Sequence, residues 1–198
     1  MSKPSGTQIL RVELMGIEPL IWRRLRVPDG LAFKSLHGVL QVAMGWQNCH
    51  LHEFRVGATL IGMTDQPELE LAEDVEAEGQ WTVAQLLAAH VEEFEYVYDF
   101  GDDWRHRIVL EPAARARVAG SSVLCLAGEG ACPPEEVGGA SGYAQFVEAL
   151  ADPAHVLHQS MADWVGEVWD IRGFDLNRVN RELRAMIARP RDRRRGGP

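Results

Sequence analysis

The chain has 198 residues, 46% of them hydrophobic, and a formal net charge of -9 at pH 7. That composition supports one compact domain with a buried core, and no run of about 18 apolar residues exists to cross a membrane. Residues 189–198, "RPRDRRRGGP", hold five Arg and one Asp, a net +4, so residues 1–188 carry -13 and disfavour phosphate backbones, whose binding rests on cationic neutralisation.

The start, "MSKPSGTQIL", has no apolar signal segment, which points to the cytoplasm. "QILRVELMGI" alternates as a strand, "LIWRRLRVP" gives a second, and the stretch 16–19 between them reads as their turn. In "AFKSLHGVLQVAMGW", Leu36, Val39, Leu40, Ala43 and Met44 fall on one face of a helix, with Gly45 as its stop. "HLHEFRVG" and "TLIG" return to strand character. The order strand, strand, helix, strand resembles a β-grasp core.

"DQPELELAEDVEAEG", residues 65–79, carries seven acids and no base, and reads as a solvated loop without calcium-site spacing. Thr82 and Gln85 make a capping box for a short helix over "VAQLLAAH". "CLAGEGACPPEEVGGASGY" reads as a long Gly/Pro-rich connection. Three helices are predicted after it. Ser141 caps the first, Asp152-Pro153 ends it and starts the second, and Asp175 caps the third. The fold class is therefore α+β: a mixed or antiparallel sheet, a central hairpin and a C-terminal three-helix segment. Residues 1–188 form a single domain and 189–198 a disordered basic tail.

The hairpin is "YVYDFGDDWRHRIVLE", residues 96–111. Phe94, Tyr96, Tyr98 and Phe100 share one face of its first strand. Trp104, His106, Ile108 and Leu110 share one face of its second. A three-residue loop, Gly101-Asp102-Asp103, puts both sets on the same side, because one residue of slip moves every side chain across. That register sets Asp99 opposite Arg105 and His106 opposite Tyr98, with His106 as a hydrogen-bonded core histidine.

Three cysteines, Cys49, Cys125 and Cys132, are too few for a disulfide framework. Cys49, His50 and His52 stand close together, and in a strand His50 and His52 share a face, so both can reach one ion. The spacing of Cys125 and Cys132 is unlike a zinc knuckle, so the sequence assigns no cofactor, with zinc or another divalent metal as the class to test. His37 sits at the edge of the helix stripe with one wet nitrogen. No nucleophile elbow, P-loop or dinucleotide fingerprint occurs.

The motifs "PLIWRRLRVP", "LHGVLQVAMGWQNCHLHEF", "YVYDFGDDWRHRIVLE", "CLAGEGACPPEEVGGASGYAQFVEAL" and "FDLNRVNREL" together resemble the plasmid ORF-3-like family, first named from a root-inducing plasmid. The family is also labelled insertion-element passenger TnpR-like. The resemblance implies an α+β fold and carries family positions onto Trp22, His37, Trp46, His50, Phe54, Tyr98, Asp99, Gly101, Asp102, Trp104 and His106. It continues over Glu111, Cys132, Pro133, Pro134, Glu135, Gly138, Gly139 and Tyr143. Glu136 departs from the Asp that the family often shows, which lengthens that carboxylate arm.

Expected from all this is a non-enzymatic binding or adaptor module of a mobile element. Its ligand, a protein, peptide or small molecule, would lie on an aromatic-acidic face. The candidate binding residues are His37, Trp46, His50, Tyr98, Asp99, Asp102, Trp104, His106, Glu135 and Glu136. A metal-dependent hydrolase or nuclease is the alternative, and requires these side chains to converge. Accessory DNA binding through the arginine tail is the third reading.

Overall fold

The computed structural model describes residues 6–64, 74–112, 122–166 and 169–188. Among them are eight strands and five helices. In chain order they are β1 (Thr7–Leu14), β2 (Ile21–Pro28), α1 (Phe33–Met44), β3 (His52–Val56), β4 (Thr59–Gly62), β5 (Val75–Ala77) and α2 (Val83–Ala88). There follow β6 (Glu93–Tyr98), β7 (Trp104–Glu111), β8 (Leu124–Glu129), α3 (Gly139–Ala151), α4 (His158–Val165) and α5 (Leu176–Ala188). The strands form one mixed sheet in the order β5-β4-β3-β6-β7-β1-β2-β8. All pairs are antiparallel except β4 with β5.

The period-two pattern does what it predicts. Leu10, Val12 and Leu14 of β1 and Ile21, Leu25 and Val27 of β2 are buried on one face. The α1 stripe of Phe33, Leu36, Val39, Leu40 and Ala43 joins them in the same core cluster. Each fully buried Leu, Ile, Val or Phe among them contributes roughly 1.5–3 kcal/mol. The other face carries cross-strand ion pairs such as Arg24 with Glu111 at 2.7 Å. Gly45, at φ 97°, stops α1 as expected. The Thr82–Gln85 capping box and the Asp175 cap also form, the latter accepting Arg178 N–H at 2.9 Å.

Several expectations are corrected. The central hairpin keeps its predicted faces but slips by two residues: Tyr98 pairs with Trp104, Tyr96 with His106 and Val97 with Arg105. The loop is thus five residues long, from Asp99 to Asp103. The reason is local. Asp99 adopts φ 57°, and its Oδ1 accepts the N–H groups of Gly101 and Asp102 at 2.9 and 3.3 Å. It therefore turns the chain instead of pairing with Arg105, which bonds Asp103. Phe100 leaves the aromatic face for solvent.

Two strands were hidden in sequence. β5 lies inside the acidic stretch, whose Glu78 is buried rather than solvated; residues 65–73 lie outside the described residues. β8 lies inside the supposed connection. Gly128 is required there, because a Cβ would sit 2.7 Å from the Phe174 ring and 2.9 Å from Arg23.

The helices also start elsewhere than expected. α3 opens at Gly139 after Gly138, at φ 90°, and Ser141 lies within its first turn, donating to Gly138 O. Asp152 does end α3, but Asp152 Oδ1 accepts Ala154 N–H in a turn, and α4 begins only at His158. The tail, with its expected disorder, lies outside the described residues. Among the described residues no helix is long and apolar enough to cross a membrane.

Candidate functional site

The buried arginine Arg23 organises the end of the sheet. Its guanidinium donates to Ala43 O, Trp22 O, Glu129 O and Gly130 O at 2.8–2.9 Å, and Phe174 lies over it. This ties the end of α1 to β2 and to the chain leaving β8. The following Cys132-Pro133-Pro134-Glu135 segment is held again by Trp46, whose Nε1–H donates to Pro133 O at 3.1 Å. The hairpin tip closes the arrangement. Asp102 Oδ2 accepts Gly138 N–H at 3.1 Å, and Gly139 passes so near that a Cβ would meet Asp102 O at 2.6 Å. The PPEE segment and the hairpin therefore build one corner.

At that corner stand Cys49, His50, Tyr98, Asp99, Glu135 and Glu136. Three carboxylates face the His50 Nε2 atom: Glu136 Oε1 at 2.8 Å, Asp99 Oδ2 at 3.6 Å and Glu135 Oε2 at 3.9 Å. The Glu136 contact has ion-pair distance without hydrogen-bond alignment, so Nε2 is buried and makes no hydrogen bond. Glu135 Oε2 is likewise buried and unpartnered. Its other oxygen, Oε1, is fixed by Gln47 N–H at 2.9 Å and by Tyr98 O–H at 3.1 Å. Asp99 repeats this division of labour: Oδ1 is held by two loop N–H groups while Oδ2 faces the histidine. The Asp99 and Glu135 side chains are only 10% and 11% exposed, whereas Glu136 is 70% exposed at the rim.

Tyr98 links the parts. Its hydroxyl accepts Cys49 N–H at 3.2 Å, lies 3.7 Å from Cys49 Sγ and donates to Glu135. Burial, followed by its Cys49 and Glu135 contacts, pushes the phenol well above its ordinary range, so it stays a proton donor. Cys49, His50 and Glu135 each offer one ligand atom, and these atoms lie within 4.8 Å of one another. Four of the five non-glycine residues at positive φ among the described residues belong to this corner or the adjoining tip: Asn48, Asp99, Asp103 and Glu136. Such conformations cluster where the surroundings over-determine them. Beside Glu136 opens an apolar groove of about 250 Å³ lined by Val137, Phe146, Met161 and Trp164.

The other sequence candidates lie elsewhere or serve the core. Neither nitrogen of His37 is wet: Nδ1 bonds Tyr96 Oη at 2.8 Å and Nε2 bonds Asn48 Oδ1 at 2.5 Å. Its ring stacks on His52 at 3.5 Å, and His52 bonds the buried Glu78 at 2.9 Å. His50 and His52 thus part company, because His50 precedes β3 rather than sharing its face. Desolvation, then the neighbouring His52, lowers the pKa of His37 to about 4. His106 is a core histidine as expected, with Nδ1 against Tyr96 O at 3.1 Å, and burial lowers its pKa to about 4. Trp46, Tyr98 and Trp104 are buried too, so the aromatic half of the expected face packs inward. Cys125 and Cys132 are buried and free, and neither belongs to the Cys49 group. The sequence sets Cys49 beside His50, and the structure keeps that pair together. The pairing of Cys49 with Glu135 depends on a contact 86 residues away in the chain, which no local signal announces.

These features define a class: an α+β protein with a polar corner where three distant segments meet. The chain belongs to the plasmid pRiA4b ORF-3-like family, whose model matches residues 7–178. It is 38% identical to the uncharacterised protein y4hQ of Sinorhizobium fredii (strain NBRC 101917 / NGR234) over 181 residues, 91% of this chain and 92% of that one. It also matches the crystal structure of MM3350, a protein of unknown function from Methanosarcina mazei Go1. There the TM-score is 0.78 and the identity 30%, covering 88% of this chain and 97% of the other.

Proposed function

We propose that the protein is a binding module whose ligand is cationic and docks at the corner formed by His50, Asp99, Glu135 and Glu136. The observation that carries this reading is the treatment of Glu135. One oxygen is fixed by two donors while the other is buried, unpartnered and turned toward His50. A buried carboxylate oxygen without a partner is costly, and a bound cation satisfies it. Even with His50 protonated, three carboxylates against one imidazolium leave the corner negative. The acidic body favours the same sign of ligand.

The hydrolase reading is weakened by the company its residues keep. Asp102 caps the chain at Gly138, and His37 and His106 are bonded within the core, which leaves His50, Asp99, Glu135 and Glu136 as the converging set. The test is a thermal-shift and NMR titration with divalent cations, spermidine and methylguanidine, beside acetate and glucose as anionic and neutral controls. A cation should stabilise the protein, and Glu135→Gln and Asp99→Asn should each weaken the effect. Binding confined to the controls, or undiminished by both substitutions, refutes the proposal.

A further inference from the structure

We infer that the cation is a divalent transition metal of the zinc type, held by Cys49, His50 and Glu135. This rests on the cation-binding reading above and narrows it. The donor set makes the choice. Calcium and magnesium take oxygen ligands, whereas a thiolate and an imidazole beside a carboxylate suit zinc, cobalt and their neighbours. An organic ammonium or guanidinium would use the carboxylates but forms no coordinate bond with a thiolate or an imidazole lone pair, which it can meet only as hydrogen-bond acceptors.

The corner also has what metal sites carry outside the ligands themselves. Ligating carboxylates are held through their second oxygen by outer donors. Glu135 Oε1 is held in this way by Gln47 N–H and Tyr98 O–H. Tyr98 touches two of the three ligands at once, since it also receives Cys49 N–H and lies 3.7 Å from Cys49 Sγ. His50 Nε2 and Glu135 Oε2, both buried without a hydrogen bond, lie 3.9 Å apart. The three donor atoms lie within 4.8 Å of one another. Closing them around an ion with bonds of about 2.0–2.3 Å asks for side-chain movement on the order of 1 Å. Asp99 Oδ2 and the exposed Glu136 stand next to His50 to complete the coordination or to balance its charge.

The experiment uses the full chain, stripped with a chelator and titrated with Zn²⁺ or Co²⁺ while circular dichroism monitors folding. One ion per chain is expected. The Co²⁺ form should show a thiolate-to-metal absorption band that Cys49→Ser removes, and His50→Ala and Glu135→Gln should weaken binding at least tenfold. Tyr98→Phe, which keeps every ligand, should weaken it about 10–100-fold without abolishing it. Bound Zn²⁺ should also shield Cys49 from alkylation; Cys49 is exposed, while Cys125 and Cys132 are buried. Failure of the folded protein to take up a stoichiometric ion overturns the inference. So does an ion retained by both Cys49→Ser and His50→Ala, which would lie elsewhere. If Mg²⁺, Ca²⁺, spermidine or methylguanidine binds at the corner and Zn²⁺ and Co²⁺ do not, the metal assignment falls and the cation reading stands. If no cation binds, both fall.

Discussion

His106 should make the protein sensitive to acid in a window set by its own burial. Tyr96 O, a pure acceptor, lies 3.1 Å from Nδ1, so Nδ1 carries the proton and Nε2 is bare. Nε2 is buried without a partner, and the ring packs against those of Trp46 and Tyr96. A second proton would place both a charge and an unsatisfied donor there, and the pKa is lowered to about 4. In the unfolded chain the same ring takes its proton near 6.5. Between those values the unfolded state binds more protons, so stability falls as pH falls from about 6.5 to about 4. The slope is ~1.4 kcal/mol per pH unit, and the whole window amounts to about 3 kcal/mol. His106→Phe removes this loss. Its packing offset, about 1–3 kcal/mol, does not depend on pH and separates cleanly from the slope. The carboxylates and His37 titrate in both proteins and cancel in the difference. Urea denaturation at pH 7.0, 6.0, 5.0 and 4.5 should show the variant gaining on the parent as pH falls. A difference that is flat across the series, or an NMR titration of His106 centred near 6.5, would refute the reasoning.

Three further outcomes follow from the scaffold. Arg23→Met keeps the apolar stem but leaves four carbonyls without their donor, and should cost about 2–4 kcal/mol by chemical denaturation. Gly139→Ala meets Asp102 O at 2.6 Å from a backbone at φ 67°, so it should cost about 1–3 kcal/mol and push the hairpin tip away, which amide chemical shifts at the tip would report. Asp175→Ala removes the α5 cap and should lower the denaturation midpoint at unchanged m-value.

Much of the framework was legible because periodicity is a local property. The β1 and β2 alternation, the α1 stripe and the Asp175 cap all lie in short windows of sequence. What escaped was set by distant partners. β8 contains Gly128, an unfavourable strand residue, and only the approach of Phe174 and Arg23 explains it. In sequence Glu78 is one more acid of the solvated stretch, and only His52, 2.9 Å away in the core, explains its burial. Ser141 has the right side chain for a cap, but the helix starts two residues earlier, at Gly139, and the Ser141 hydroxyl donates back to Gly138 O.

The two-residue slip in the hairpin and the location of the site have one cause. Segregation of apolar side chains fixes which residues share a face, and a slip of two preserves that face completely. The choice between a three- and a five-residue loop therefore falls to the turn itself, where Asp99 Oδ1 collects two N–H groups at φ 57°. In the shorter loop Asp99 would be a ladder residue facing Arg105, its charge neutralised. In the longer one it leaves the ladder, and Oδ2 faces His50 at 3.6 Å. The Asp102 bond to Gly138 then holds the tip against the PPEE segment, where Glu135 meets Tyr98 and His50. Substituting Asp99 should thus disturb turn and corner together. Asp99→Asn keeps a side-chain oxygen for the loop N–H groups and removes only the charge, so it should weaken cation binding while leaving the unfolding free energy from chemical denaturation within about 1 kcal/mol of the parent. Equal loss of both would mean that Asp99 serves the turn alone.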